Sequence, residues 1–133
     1  MGLDNLWELP EGVESPTMDV NLCGGVFSGP NKYKCTSFRG KIYSDFIEVL
    51  SGISLYSERI EGEDIKKIRD ALKQFKADID EIPTGYKVLI QVRNTFPEVH
   101  PHYVDWSLLS LNDLITMFSA YAEIEGARLV SWY

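Results

Sequence analysis

The stretch Ser110-Leu111-Asn112-Asp113-Leu114-Ile115-Thr116-Met117-Phe118-Ser119-Ala120-Tyr121-Ala122 is the clearest helical text in the chain, and Ala127-Arg128-Leu129-Val130-Ser131-Trp132-Tyr133 follows it closely. Leu111, Leu114, Ile115, Phe118 and Ala122 recur at i, i+3, i+4, i+7 and i+11, one face of a helix. Ser110 with Asp113 three residues on has the form of a capping box, in which hydroxyl and carboxylate would each accept from the other's backbone amide. Gly126 is expected to end the helix as its C′ residue, because glycine takes a left-handed backbone freely. Residues 127–133 are short, β-branched and aromatic, which predicts a strand tied into a sheet.

Upstream, the most regular segment is 63–79. Ile65, Ile68, Leu72, Phe75 and Ile79 are spaced 3, 4, 3, 4, with Lys66, Lys67, Arg69, Asp70, Lys73, Gln74 and Lys76 on the other side. That spacing lasts only about two heptads, too few for a coiled coil, so a helix docked on its own core is expected. Glu61, Glu63 and Asp64 suit the positive end of that helix. A further helix is expected over 39–51, with Ile42, Phe46, Ile47 and Leu50 inward, Tyr43 and Val49 flanking, and Gly52 as its stop. Ile53 to Tyr56 reads as a connector packed under the domain.

Two more strands are predicted. Residues 86–93 follow the turn signal Pro83-Thr84-Gly85 and alternate, with Tyr86, Val88, Ile90 and Val92 on one face, helix being the competing reading of so short a pattern. Residues 3–9 are apolar without strict alternation and stop at Pro10 and Gly12. Residues 20–23 are expected to be extended, and Gly24, Gly25, Gly29 and Pro30 argue against regular structure up to about residue 35. Residues 94–109, with Pro97, Pro101 and both histidines, read as a long loop, a feature that usually has a role. The elements assemble into an α+β domain spanning 1–133, a small sheet with about three helices packed on one side. A helix between strands 86–93 and 127–133 would suit a parallel pair.

Composition narrows the function. Hydrophobic residues make up 44% and charged residues 25%, values of an ordinary soluble globular protein. No apolar run approaches the roughly 20 residues that cross a membrane. The opening residues lack the pattern of a signal peptide, and Leu6 stands where a myristoylation signal needs Ser or Thr, so a cytoplasmic location is expected. A net charge of −7 opposes general nucleic-acid binding and anionic membranes. Cys23 and Cys35 are expected to be free thiols in such a chain.

Chemistry-bearing patterns are sparse. His100-Pro101-His102 places two imidazoles on one side of an extended backbone, and Cys23 and Cys35 would complete a tetrahedral metal set, although neither pair has zinc-finger spacing. Cys23 before Gly24-Gly25 has the ingredients of a thiol nucleophile with nearby amides, while a free cysteine is more often a small buried hydrophobe. Gly24 and Gly29 have P-loop spacing, but Pro30 occupies the lysine position and removes an amide. No motif demands a cofactor.

Charge patterning is more informative. Between Asp19 and Asp45 there is no acidic residue; Lys32, Lys34, Arg39 and Lys41 carry +4 there, leaving −11 for the rest of a chain of net −7. These residues run into the expected helix start at 39, where free amides and the helix dipole favour anions. Arg39 has the planar fork that grips a carboxylate or phosphate. The bland reading is a solvated loop kept soluble by its lysines. The sequence therefore points to a non-enzymatic binding or regulatory domain that recognises an anionic ligand or a partner protein through the 24–41 loop. The alternative is a small metal-binding or cysteine-dependent enzyme using Cys23 and the His100/His102 pair.

Overall fold

A computed structural model describes residues 3–22, 36–81 and 94–132. Along these the chain forms β1 (Asp4–Glu8), β2 (Ser37–Phe38), α1 (Gly40–Ser51), β3 (Arg59–Glu61), α2 (Gly62–Asp80), α3 (Pro101–Leu109), α4 (Leu111–Ala122) and β4 (Arg128–Trp132). The four strands make one sheet in the order β2-β1-β4-β3, and every pairing is antiparallel. The α+β architecture expected from sequence is present, with these four helices among the described residues. Residues 86–93 lie outside the described residues, as do Cys23 and residues 24–35. The expected parallel pair is corrected all the same: β4 has β1 on one side and β3 on the other, both antiparallel, so no edge along Arg128–Val130 is left for a parallel partner. Among the described residues no helix is long and apolar enough to cross a membrane.

The sheet is built on β4. Leu129 pairs with Trp7 on one side and with Ile60 on the other, and directly paired residues point to the same face. That row is buried, and α4 covers it: Trp7 stacks on Tyr121 at 4.1 Å and meets Phe118 edge-on at 5.4 Å. The opposite face carries Glu8 and Arg128, cross-strand partners joined by a 2.8 Å ion pair.

β1 lacks clean alternation because of Asn5. It points into the core, almost fully buried, and its Nδ2 donates to the Leu55 carbonyl at 3.0 Å and more weakly to that of Val130 at 3.5 Å. Gly40 opens α1 directly against this carboxamide, where any Cβ would collide. Leu55, in the connector predicted to pack under the domain, is fully buried.

The helices follow their apolar spacing. α2 buries Ile65, Ile68, Leu72 and Phe75, as expected, and α1 buries Tyr43, Phe46 and Ile47 and stops at Gly52 with φ +77°. On α4 the buried face is turned slightly from the expected one: Met117 and Tyr121 join Leu111, Leu114 and Phe118, while Ile115 and Ala122 are half-buried.

Three further expectations are corrected. The segment 94–109 is not a loop throughout: Pro101–Leu109 is helical. Pro101 sits at the first helical position, where its fixed φ suits the helix and its missing amide is not needed. The proline read as a loop marker is a helix start. Second, the capping box at Ser110 does not form. The Ser110 hydroxyl is engaged by the Tyr43 hydroxyl at 3.1 Å, and Asp113 accepts from the Asn21 amide at 3.1 Å. Tertiary partners have taken both capping groups. Third, α4 ends at Ala122, and Gly126 belongs to a separate turn, with φ +84° and the Ala127 amide bonded to the Ile124 carbonyl at 3.2 Å.

Candidate functional site

The corrected segment holds the most distinctive surface among the described residues. Phe96 is its anchor. It is buried between α1 and α2, 4.9 Å from Phe46 and 5.8 Å from Phe75, ring centre to ring centre. This fixes the turn at Pro97-Glu98-Val99, from which α3 departs. His100 caps the helix, its Nδ1 accepting from the His102 amide at 3.2 Å.

α3 is apolar on two sides. Val104 and Ser107 are buried on the side facing α1, and Leu111 continues that side into α4. On the opposite side His102, Trp106 and Leu109 stand at i, i+4 and i+7, one outward face. Leu109 is 83% exposed and Trp106 42%. Beside them the rings form a continuous row: His100 to His102 at 5.2 Å, His100 to Tyr103 at 5.9 Å, His102 to Trp106 at 6.3 Å and Tyr103 to Trp106 at 6.1 Å. Such mutual contact limits side-chain freedom, so little entropy remains to be lost when a ligand lies on them.

At the start of this row lies a cleft of about 250 Å³, walled by Asp45, Glu48 and Val49 of α1 and by Glu98 and Val99 of the turn. None of the ion pairs among the described residues uses Asp45, Glu48 or Glu98. A larger open groove of about 500 Å³ runs between α2 and α4, but two of its charged groups, Lys76 and Asp80, already pair with each other at 2.6 Å.

The residues singled out from sequence are placed as follows. Arg39 is the N-cap of α1, and its Nε lies 3.0 Å from Asp4 Oδ1. Its charge is therefore partly answered within the domain. Lys41 is exposed on the first turn of α1. At that helix start the Lys41 amide is bonded to the Leu3 carbonyl at 3.1 Å and the Ile42 amide to the Arg39 carbonyl at 3.3 Å, so two donors open to an anion in a bare helix end are in use. Lys32 and Lys34 lie outside the described residues. His100 and His102 are adjacent and exposed, while Cys23 and Cys35 lie outside the described residues. Among the described residues no three His, Cys, Asp or Glu side chains converge as a metal site.

Comparison with protein-family models, with curated proteins and with solved structures finds no match. Tyr103, Trp106, Leu109, Asp45, Glu48 and Glu98 were not singled out from sequence. Reading Pro101 as a helix start would have revealed Trp106 and Leu109, because they then fall on one face with His102. Nothing in the spacing links Glu98 to Asp45 and Glu48.

Proposed function

We propose that this domain is a non-enzymatic binding module and that the outward face of α3 is its contact surface. The observation that carries the reading is the exposure of Leu109 and Trp106 on a helix whose other side is already docked in the core. Folding needs only one apolar side of a helix. A second apolar side left in water is of use where another molecule covers it. Tryptophan is also the residue most enriched among those that dominate protein interfaces. The row of rings gives such an anchor fixed neighbours.

The expectation of a binding role through the 24–41 window is thereby carried to a different surface of the same domain. α3 offers exposed apolar area and ring faces, whereas Arg39 is already engaged by Asp4.

The role is tested by selecting peptides from a random display library on the parent protein, with Leu109→Ser and Trp106→Ala proteins as counter-targets. The expected result is a set of peptides that bind the parent and lose about tenfold or more in affinity on either substitution. Peptides that bind all three proteins equally would place recognition elsewhere and overturn the proposal.

A further inference from the structure

We infer that the α3 surface docks a basic amphipathic segment of a partner protein, its apolar side chain on Trp106 and Leu109 and its lysine or arginine in the carboxylate cleft against α1. The inference rests on the binding role proposed above and names the chemistry of the partner.

Two independent features meet at His100. One is the apolar and aromatic face of α3, which begins there. The other is the cleft with Asp45, Glu48 and Glu98, whose wall residue Val99 directly precedes it. From His100 to Leu109 the helix advances about 13.5 Å at 1.5 Å per residue. An extended segment covers that distance in about four residues at its usual reach of 3.3–3.6 Å each. The length of the α3 face is thus within the reach of one short peptide, which would turn at His100 to enter the cleft.

The charge of the partner follows from what is left unanswered. Asp45, Glu48 and Glu98 form no ion pair with a described residue, and Lys41, one turn before Asp45 on α1, pairs with none of them. The carboxylates do not converge closely enough to share one metal ion. A guanidinium or ammonium on a flexible stem suits spread carboxylates better, because it has several donors directed to different sides. The adjoining rings act in the same direction, since the faces of tryptophan and tyrosine attract cations. Valine on both walls of the cleft, Val49 and Val99, gives the aliphatic stem of such a side chain an apolar lining. A second copy of this chain is the wrong partner on these grounds. Each copy carries −7, and two such surfaces would bring carboxylates face to face.

The test uses the full chain and three short synthetic peptides of one pattern: leucine with arginine, leucine with glutamate and leucine with glutamine. Binding is measured by calorimetry at two salt concentrations. Four altered proteins are compared with the parent: Glu48→Gln/Glu98→Gln, a control Glu123→Gln/Glu125→Gln in the turn before β4, Leu109→Ser, and Trp106→Ala. All of these residues are exposed, and parent-like melting of each protein is checked first. The expected result is that the arginine peptide alone binds the parent well, that it loses about tenfold in the Glu48/Glu98 protein, and that the control is unchanged. Equal loss in the control would reduce the effect to general attraction by an acidic chain and overturn the inference. So would failure of the arginine peptide to bind the parent, or equal binding of the glutamate peptide. If all three peptides bind alike and all weaken on Leu109→Ser, the partner need not be basic and only the binding role stands. If Leu109→Ser and Trp106→Ala leave the arginine peptide unaffected, the binding role falls as well.

Discussion

α2 and α3 are both helices with a buried side, and they differ in what the other side does. On α2 the side away from Ile65, Ile68, Leu72 and Phe75 is charged and largely self-neutralising, with Lys66–Glu63, Lys67–Asp64 and Lys76–Asp80 pairs along it. On α3 the side away from Val104 and Ser107 bears His102, Trp106 and Leu109. The first helix spends its apolar residues on folding alone. The second has more than folding uses, and the surplus is gathered on one face. A helix with a single apolar stripe announces its inner side in the sequence; a helix with two hides both.

The largest effects should come from the inner sides and be alike in the two helices. Leu72→Asp and Val104→Asp each place a carboxylate where no water or partner reaches, and burying an unpaired charge exceeds what a domain stable by about 5–15 kcal/mol can absorb. Both proteins should lose cooperative thermal unfolding by circular dichroism. A Val104→Asp protein that melts like the parent would show that α3 has no docked side, and the contrast with α2 would collapse.

A far smaller effect is expected from the outer side. Leu109→Gln should shift stability by no more than roughly 0.5 kcal/mol, the range of surface substitutions. A denaturant midpoint lowered as far as for a core truncation, about 2–5 kcal/mol, would mean that Leu109 supports the fold and is not a free contact residue.

The smallest effect belongs to the charged side of α2. The Asp70 carboxyl is held below its ordinary value of 3.8, chiefly by the hydrogen bond from Arg69. A lowered folded value gives stability that is present above the unfolded value and lost as pH falls through the folded one. The pair is exposed, so solvent screening leaves little of that contribution. Asp70→Asn should therefore melt with the parent at neutral pH, and the two curves should stay together on acidification. A clear separation at neutral pH that closes only as the pH falls below 3.8 would give this ion pair more weight than its exposure warrants.

Much of the fold was legible because its helices obey one period. α1, α2, α4 and β4 could be placed from Phe46, Leu72, Phe118 and Leu129 with their neighbours. The edge strands could not. β2 is two residues long, and β3 is Arg-Ile-Glu, so neither has enough length for alternation to appear; each exists because β1 or β4 lies beside it. β1 was blurred by Asn5, a polar residue turned inward, and Leu6, an apolar residue turned outward. α3 was masked by prolines and by its two apolar sides. Of the candidate surface, only the two histidines drew notice, and for a different chemistry. Asp45, Glu48 and Glu98 come together through Phe96 packing on Phe46, a contact across fifty residues that no local spacing encodes.

The pairing of β1 with β4 sets an order of events during synthesis. Asp4 finds its partner in Trp132, and Asn5 donates to carbonyls at 55 and 130. Until residues 128–132 leave the ribosome, β1 has one side of its backbone unpaired and Trp7 has no Leu129 beside it. The sheet therefore closes late, and non-local pairing of this kind is slow. In that interval the nascent chain presents an open strand and a bare tryptophan, the features by which aggregation starts and to which chaperones attend. α1 and α2 pack on each other and are both complete by residue 80, so they can meet before β4 exists; α2 gains its neighbour α4 only later.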